Sequence, residues 1–148
     1  MMKKILLFLS MGLLIIAAVV FFATKKSDLY HQEMSVKAKE GKDFIMSLEE
    51  VERQKTFSII KVKHTSGASV PSAVFIVKGC YEIAKIRGAG YFINLKEWED
   101  DRGNWLYKIG FSSNPNVNPK EYFGDDIDLS KDLEFMSVQS YDLLWGKK

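Results

Sequence analysis

The only cysteine of the chain stands in VKGCYEIAKIRGAGYF, residues 77 to 92, just ahead of the triplet Gly88-Ala89-Gly90. Two chemistries need residues of this kind. A nucleophilic thiol needs a depressed pKa and an adjacent base. A phosphate-binding glycine loop needs a strand, then glycines, then a helix. Neither requirement is met. Ala73, Ile76, Val77, Cys80, Ile83 and Ala84 recur at helical spacing and trace one apolar stripe. Cys80 lies in the middle of that stripe, where burial makes a thiol inert. The glycines follow this helix instead of preceding one, and Ile93 stands where a third glycine is needed. Gly88 instead suits a left-handed helix cap. The two histidines are His31 and His64, and pairing His64 with Cys80 requires the thiol to leave its stripe.

The acidic residues give no stronger site. Asp126, Asp128, Ser130, Asp132 and Glu134 alternate like the start of a calcium loop, but Lys131 occupies the glycine position and Ser137 the closing glutamate. Glu97, Glu99, Asp100 and Asp101 cluster at an expected hairpin tip, which is wet and offers no cleft for acid–base work. The chain therefore reads as non-catalytic, with no cofactor, no metal and no catalytic residue.

The residues with most potential for recognition are aromatic. YFINLKEW and WLYKIGF bracket EDDRGN, a β-hairpin signal. A turn centred on Asp101-Arg102 or on Arg102-Gly103 places Phe92, Asn94, Lys96 and Trp98 on one face with Trp105, Tyr107, Ile109 and Phe111. Ile93, Leu95 and Leu106 fall on the other. The aromatic face is either core beneath the helix or a partly open surface that binds something. In the first case Trp105 belongs to the core. In the second, Trp98, Trp105, Tyr107 and Lys96 form the candidate binding surface.

These residues must be positioned by a small domain. FSIIKVK, residues 57 to 63, alternates and is β-branched, and predicts a strand. Pro71 is compatible with the first turn of a helix over 72–87. The core is then β(57–63)–α(72–87)–β(91–98)–β(105–111), with the strands flanking the helix parallel and joined by a right-handed crossover. Ser47 and Glu50 form a capping box, with Met46 and Val51 as its staple, and predict a short helix from about Leu48 to Gln54. The C-terminal part is ambiguous, with a strand expected near 133–139 and a helical turn around Leu143, Leu144 and Trp145. The fold class is α+β, or a small α/β fold. An N-terminal transmembrane helix precedes one β-α-β-β domain. Its divisions are an anchor over 1–26, a juxtamembrane linker or helix over 27–46 and a small α/β domain over 47–148.

The anchor is the run ILLFLSMGLLIIAAVVFFA, residues 5 to 23, flanked by Lys3, Lys4, Lys25 and Lys26. Its helix would be roughly 28 Å long, about one hydrocarbon core. Its Leu, Ile, Val and Phe residues contribute roughly −4 to −8 kcal/mol to insertion. The run is longer than a signal-peptide core and ends without small residues at a cleavage site. It predicts an uncleaved signal-anchor in the inner (cytoplasmic) membrane, single-pass, with the C-terminal domain outside the cytoplasm.

Four of the 21 basic residues flank that run, and all 19 acids follow it, so the remainder is acidic by two. Such a balance does not fit a nucleic-acid binder. Residues 53–87 are strongly basic and residues 121–142 strongly acidic, so the two are expected to neutralise each other within the fold, or to steer a charged partner.

The stretch SGASVPSAVFIVKGCYEIAKIRGAGYFINL resembles the centre of small bacterial cell-envelope lipoproteins of unknown function, through Glu82-Ile83-Ala84, Gly88, Gly90 and Tyr91-Phe92. The lipid-bearing cysteine of that group is absent, and the resemblance implies no site residues. The expected function is a membrane-tethered envelope protein that binds another protein. The alternatives are a binder of a small molecule or lipid fragment on the aromatic hairpin face, and an immunity protein against an envelope-targeted toxin.

Overall fold

A computed structural model describes residues 28–36, 43–64 and 70–146. Six strands form one sheet: β1 His31–Val36, β2 Phe44–Arg53, β3 Phe57–His64, β4 Tyr91–Glu99, β5 Trp105–Ser112 and β6 Met136–Ser137. Three helices accompany them: α1 Val70–Ile86, α2 Pro119–Phe123 and α3 Val138–Trp145. The strand order is β1-β2-β3-β5-β4-β6, and every neighbouring pair is antiparallel. This replaces the expected β-α-β-β arrangement. β3 and β4 do run in the same direction around α1, but β5 lies between them.

The correction begins in β2. The capping-box pattern of Ser47 and Glu50 predicts a helix, yet the segment is extended. Met46, Leu48 and Glu50 are buried at alternate positions, and period-2 burial between β1 and β3 outweighs a signal worth one or two hydrogen bonds. Residues 31–36, expected in a linker or helix, pair with β2 from His31↔Glu49 to Val36↔Phe44. Near the C-terminus β6 is only Met136–Ser137, and the Ser137 hydroxyl then caps α3 by accepting from Ser140 N.

The expected transmembrane, single-pass signal-anchor finds no support among the described residues. Among the described residues no helix is long and apolar enough to cross a membrane. The run over residues 5–23 lies outside the described residues.

α1 covers one face of the sheet, here the inner face. Its buried side, Phe75, Cys80, Ile83 and Ala84, meets Met46, Leu48, Ile60, Val62, Phe92 and Ile109, whereas Ala73 of the expected stripe is exposed. Gly79 lets it come close, since a Cβ there would stand 2.5 Å from Leu48 Cδ1. Gly88 ends the helix at φ 65°, as its position after the stripe predicts. α3 extends this layer. The Tyr81 hydroxyl donates to Asp142 Oδ1 at 2.5 Å, Lys85 Nζ donates to the same hydroxyl at 3.0 Å, and Trp145 meets the Tyr81 ring edge-on at 5.6 Å.

The inner face carries one buried carboxylate. Glu50 Oε1 accepts from Arg53 Nε (2.9 Å) and Ser58 Oγ (2.6 Å), and Oε2 from Arg53 Nη2 (2.5 Å) and Tyr30 N (3.1 Å). Burial pushes its pKa up, but these bonds outweigh burial and hold it below the ordinary value. A carboxylate so satisfied is tolerated in a core where an unpaired one costs several kcal/mol.

Candidate functional site

The β4–β5 hairpin does not have the facing pattern that simple alternation gives. Phe92 pairs with Phe111 and Asn94 with Ile109, as expected. Beyond a bulge at Leu95 the register shifts by one, so that Lys96 pairs with Lys108, Glu97 with Tyr107, Trp98 with Leu106 and Glu99 with Trp105. One extra residue moves every later side chain of that strand to the other face. Trp98 and Lys96 therefore part from Trp105 and Tyr107. Leu95 is wholly buried with Ile93 and Phe123 in an outer cluster, and its carbonyl accepts from Asp128 N at 2.7 Å.

On the outer face Lys96 and Trp98 are engaged from within. Residues 124–135 cross that face and pack Ile127, Leu133 and Phe135 against the outer cluster. Asp126 Oδ1 accepts from Lys96 Nζ at 2.6 Å, and Lys108 Nζ donates to Asp126 O at 2.8 Å. Lys96 stands 5.7 Å from the Trp98 ring centre and Lys108 4.5 Å from that of Phe57. The acidic segment is neutralised here mainly by Lys96 and Lys108, not by the basic stretch 53–87. Among the described ion pairs only Lys85–Asp142 joins the two stretches.

On the inner face Trp105 and Tyr107 border an open groove of about 410 Å³ beside the N-terminal half of α1. Met46, Val62 and Ile76 complete its apolar walls, and His64, Ser72 and Glu97 supply its polar groups. The sheet builds this row directly. Val62 pairs with Trp105, Ile60 with Tyr107 and Met46 with His64. Trp105 is 37% exposed, so it is not the core residue that a fully covered face requires. Burial, with Glu97 adding to it, pushes the Tyr107 hydroxyl above its ordinary pKa, so it remains a neutral donor. Asn94, further along the inner face, leaves a buried Oδ1 without a partner among the described residues.

Sequence reasoning named Trp105 and Tyr107 but missed Met46, Val62, Ile76 and His64 as their neighbours. The alternation of β2 and β3 was the available signal, and reading β2 as a helix hid it.

A second cleft, about 830 Å³, opens at the β2 bulge between Glu50 and Glu52. Its walls are largely charged, and at its floor Glu50 and Arg53 are bound to each other. Cys80 faces neither opening usefully. It is 3% exposed, and burial pushes its pKa up to about 12, which leaves no thiolate at neutral pH.

What the groove offers chemically is therefore apolar contact, ring faces and a few neutral or acidic groups. No family model, no curated protein and no solved structure matches this chain, so the resemblance to envelope lipoproteins remains an expectation of the sequence.

Proposed function

We propose that the chain is a binding domain without chemistry of its own, and that the groove beside Trp105 and Tyr107 receives an apolar segment of a partner protein. The observation that carries this reading is the half-open aromatic pair. Trp105 is over a third exposed and stands next to Tyr107 above walls of Met46, Val62 and Ile76. Trp and Tyr anchors with an apolar floor and a charged rim are what protein interfaces concentrate. The chemistry that an enzyme reading needs is suppressed at Cys80, the one thiol.

The second reading, a small molecule or lipid fragment, is supported by the volume of the groove, which falls within the roughly 300–1,000 Å³ of ligand sites. A photo-reactive amino acid in place of His64, at the groove rim, separates the two. The protein reading expects a crosslinked polypeptide that disappears when Trp105→Ala is added, with a cooperative melt retained. A crosslink only to a small molecule favours the second reading. Crosslinks to either that are indifferent to Trp105→Ala overturn both.

A further inference from the structure

We infer that the segment entering the groove is basic, and that it places a lysine or arginine side chain between Glu99 and the rings of Trp105 and Tyr107. This rests on reading the groove as a protein-binding site. β5 presents the two aromatic residues two positions apart, and β4 places Glu99 directly opposite Trp105 and Glu97 directly opposite Tyr107. Directly opposed side chains have Cβ atoms about 4.5–5.5 Å apart. Each ring therefore has a carboxylate as its neighbour. A π face attracts a cation electrostatically, and a carboxylate beside it adds a charge-assisted hydrogen bond.

The molecule uses this combination on itself three times. Lys85 stands 5.1 Å from the Tyr81 ring and 3.2 Å from Asp142. Lys96 stands 5.7 Å from the Trp98 ring and 2.6 Å from Asp126. Lys108 stands 4.5 Å from the Phe57 ring and 3.3 Å from Asp126. At the groove the rings and carboxylates are in place, but among the described residues no cation stands over Trp105 or Tyr107. Lys131 engages Glu97. Glu99 is exposed and has no ion pair among the described residues. Its carboxylate lies against the hairpin turn at Gly103, where an added Cβ would come within 3.4 Å of Oε1. Asp101, exposed at the same tip, extends the negative rim. An acidic segment would be repelled there, and a neutral one would leave Glu99 unpaired.

Three peptides test this on the isotope-labelled full chain: acetyl-Ala-Leu-Lys-Leu-Ala-amide and its counterparts with Gln or Glu at the centre. The indole N–H resonance of Trp105, identified by its loss in Trp105→Ala, reports binding. The lysine peptide is expected to bind tightest and the glutamate peptide weakest. Glu99→Gln is expected to weaken the lysine peptide by roughly two- to fivefold, the effect of one exposed cation contact. It should leave the glutamine peptide unchanged. Equal binding of the lysine and glutamine peptides, or indifference of the lysine peptide to Glu99→Gln, overturns the cation inference and leaves the groove reading standing. No shift of the Trp105 resonance with any of the three overturns the reading of the groove as a peptide site, and this inference with it.

Discussion

Each face of the distal β4–β5 hairpin carries a tryptophan beside charged groups, but the charges are opposite in sign: Lys96 and Lys108 on the outer face, Glu97 and Glu99 on the inner one. On the outer face the chain returns over its own hairpin. Residues 124–135 bring Asp126 to Lys96 and Lys108 and bring Ile127, Leu133 and Phe135 onto Ile93 and Leu95. On the inner face the N-terminal half of α1 borders the groove without covering Trp105, which stays over a third exposed, and Glu99 has no ion pair among the described residues. The faces differ in the sign of their charge and in how far the fold itself covers them. A face completed from within is core. On the reading proposed above, the face left open is one that a partner completes.

The comparison is broken most directly by truncating one large ring on each face. Phe123 is 6% exposed and seals the outer cluster. Phe123→Ala is expected to cost about 3–5 kcal/mol, a large part of the roughly 5–15 kcal/mol that holds a domain together. Trp105→Ala removes a ring that is only partly out of water, and about 1–2 kcal/mol is expected from the area involved. Urea unfolding of the two variants of the full chain measures both. Equal losses mean that Trp105 is core after all.

A substitution that adds atoms sharpens the same contrast. Gly110 lies in β5 opposite Ile93, and a Cβ there would stand 2.7 Å from both Cε1 and Cζ of Phe123 and 3.0 Å from Ile93 Cγ2. The Phe123 ring must shift, so Gly110→Ala is expected to destabilise by about 1–3 kcal/mol despite its better strand propensity. Adding Phe123→Leu should recover part of the Gly110→Ala loss, because the shorter side chain vacates the contact. A double mutant whose two losses simply add shows that the outer layer is looser than this packing implies.

Much of the sheet was legible because strands 57–64 and 105–112 and helix 70–86 read with a regular period, and strand 91–99 does so as far as the bulge at Leu95. Cys80, Ile83 and Ala84 of the stripe and the cap at Gly88 were read from spacing alone, while Ala73 is exposed and the buried Phe75 and Tyr81 were missed. What was not legible depended on partners distant in sequence. β2 carries both a capping box and an alternating pattern, and only β1 on one side and β3 on the other decide between them. β1 is a short, polar edge strand that nothing local distinguishes from a linker. The bulge at Leu95 has no turn residue to announce it. Its mark is that Leu95 and the adjacent Lys96 both lie on the outer side, with the Leu95 carbonyl accepting from Asp128 N. The groove followed from that one residue, since unbroken alternation would have put Trp98 beside Trp105.

The smallest expected effect is on the acid side of the stability curve, and it again separates the faces. On the outer face the hydrogen bond from Lys96 is the main reason that the Asp126 carboxyl lies below its ordinary value near 3.8; burial opposes it, and Lys108 adds to the lowering. A folded-state pKa below the unfolded one means that the unfolded chain binds the proton more readily. The stabilisation is therefore complete above the ordinary value and is lost as pH falls through the lower, folded one. Because Asp126 is largely exposed, solvent screens the pair and the contribution is expected to be under about 1 kcal/mol. Asp128 and Asp142 are also held below their ordinary values, so the native chain loses stability in acid for several reasons at once. The informative quantity is the difference between the native chain and Asp126→Asn, measured by urea unfolding from pH 6 down to pH 3. That difference should be constant at the upper end and shrink at the lower end, as the native carboxyl becomes neutral like the amide. A difference that stays constant down to pH 3 would mean that Lys96 and Lys108 do not hold the carboxylate, and the outer face would then be no better completed from within than the inner one.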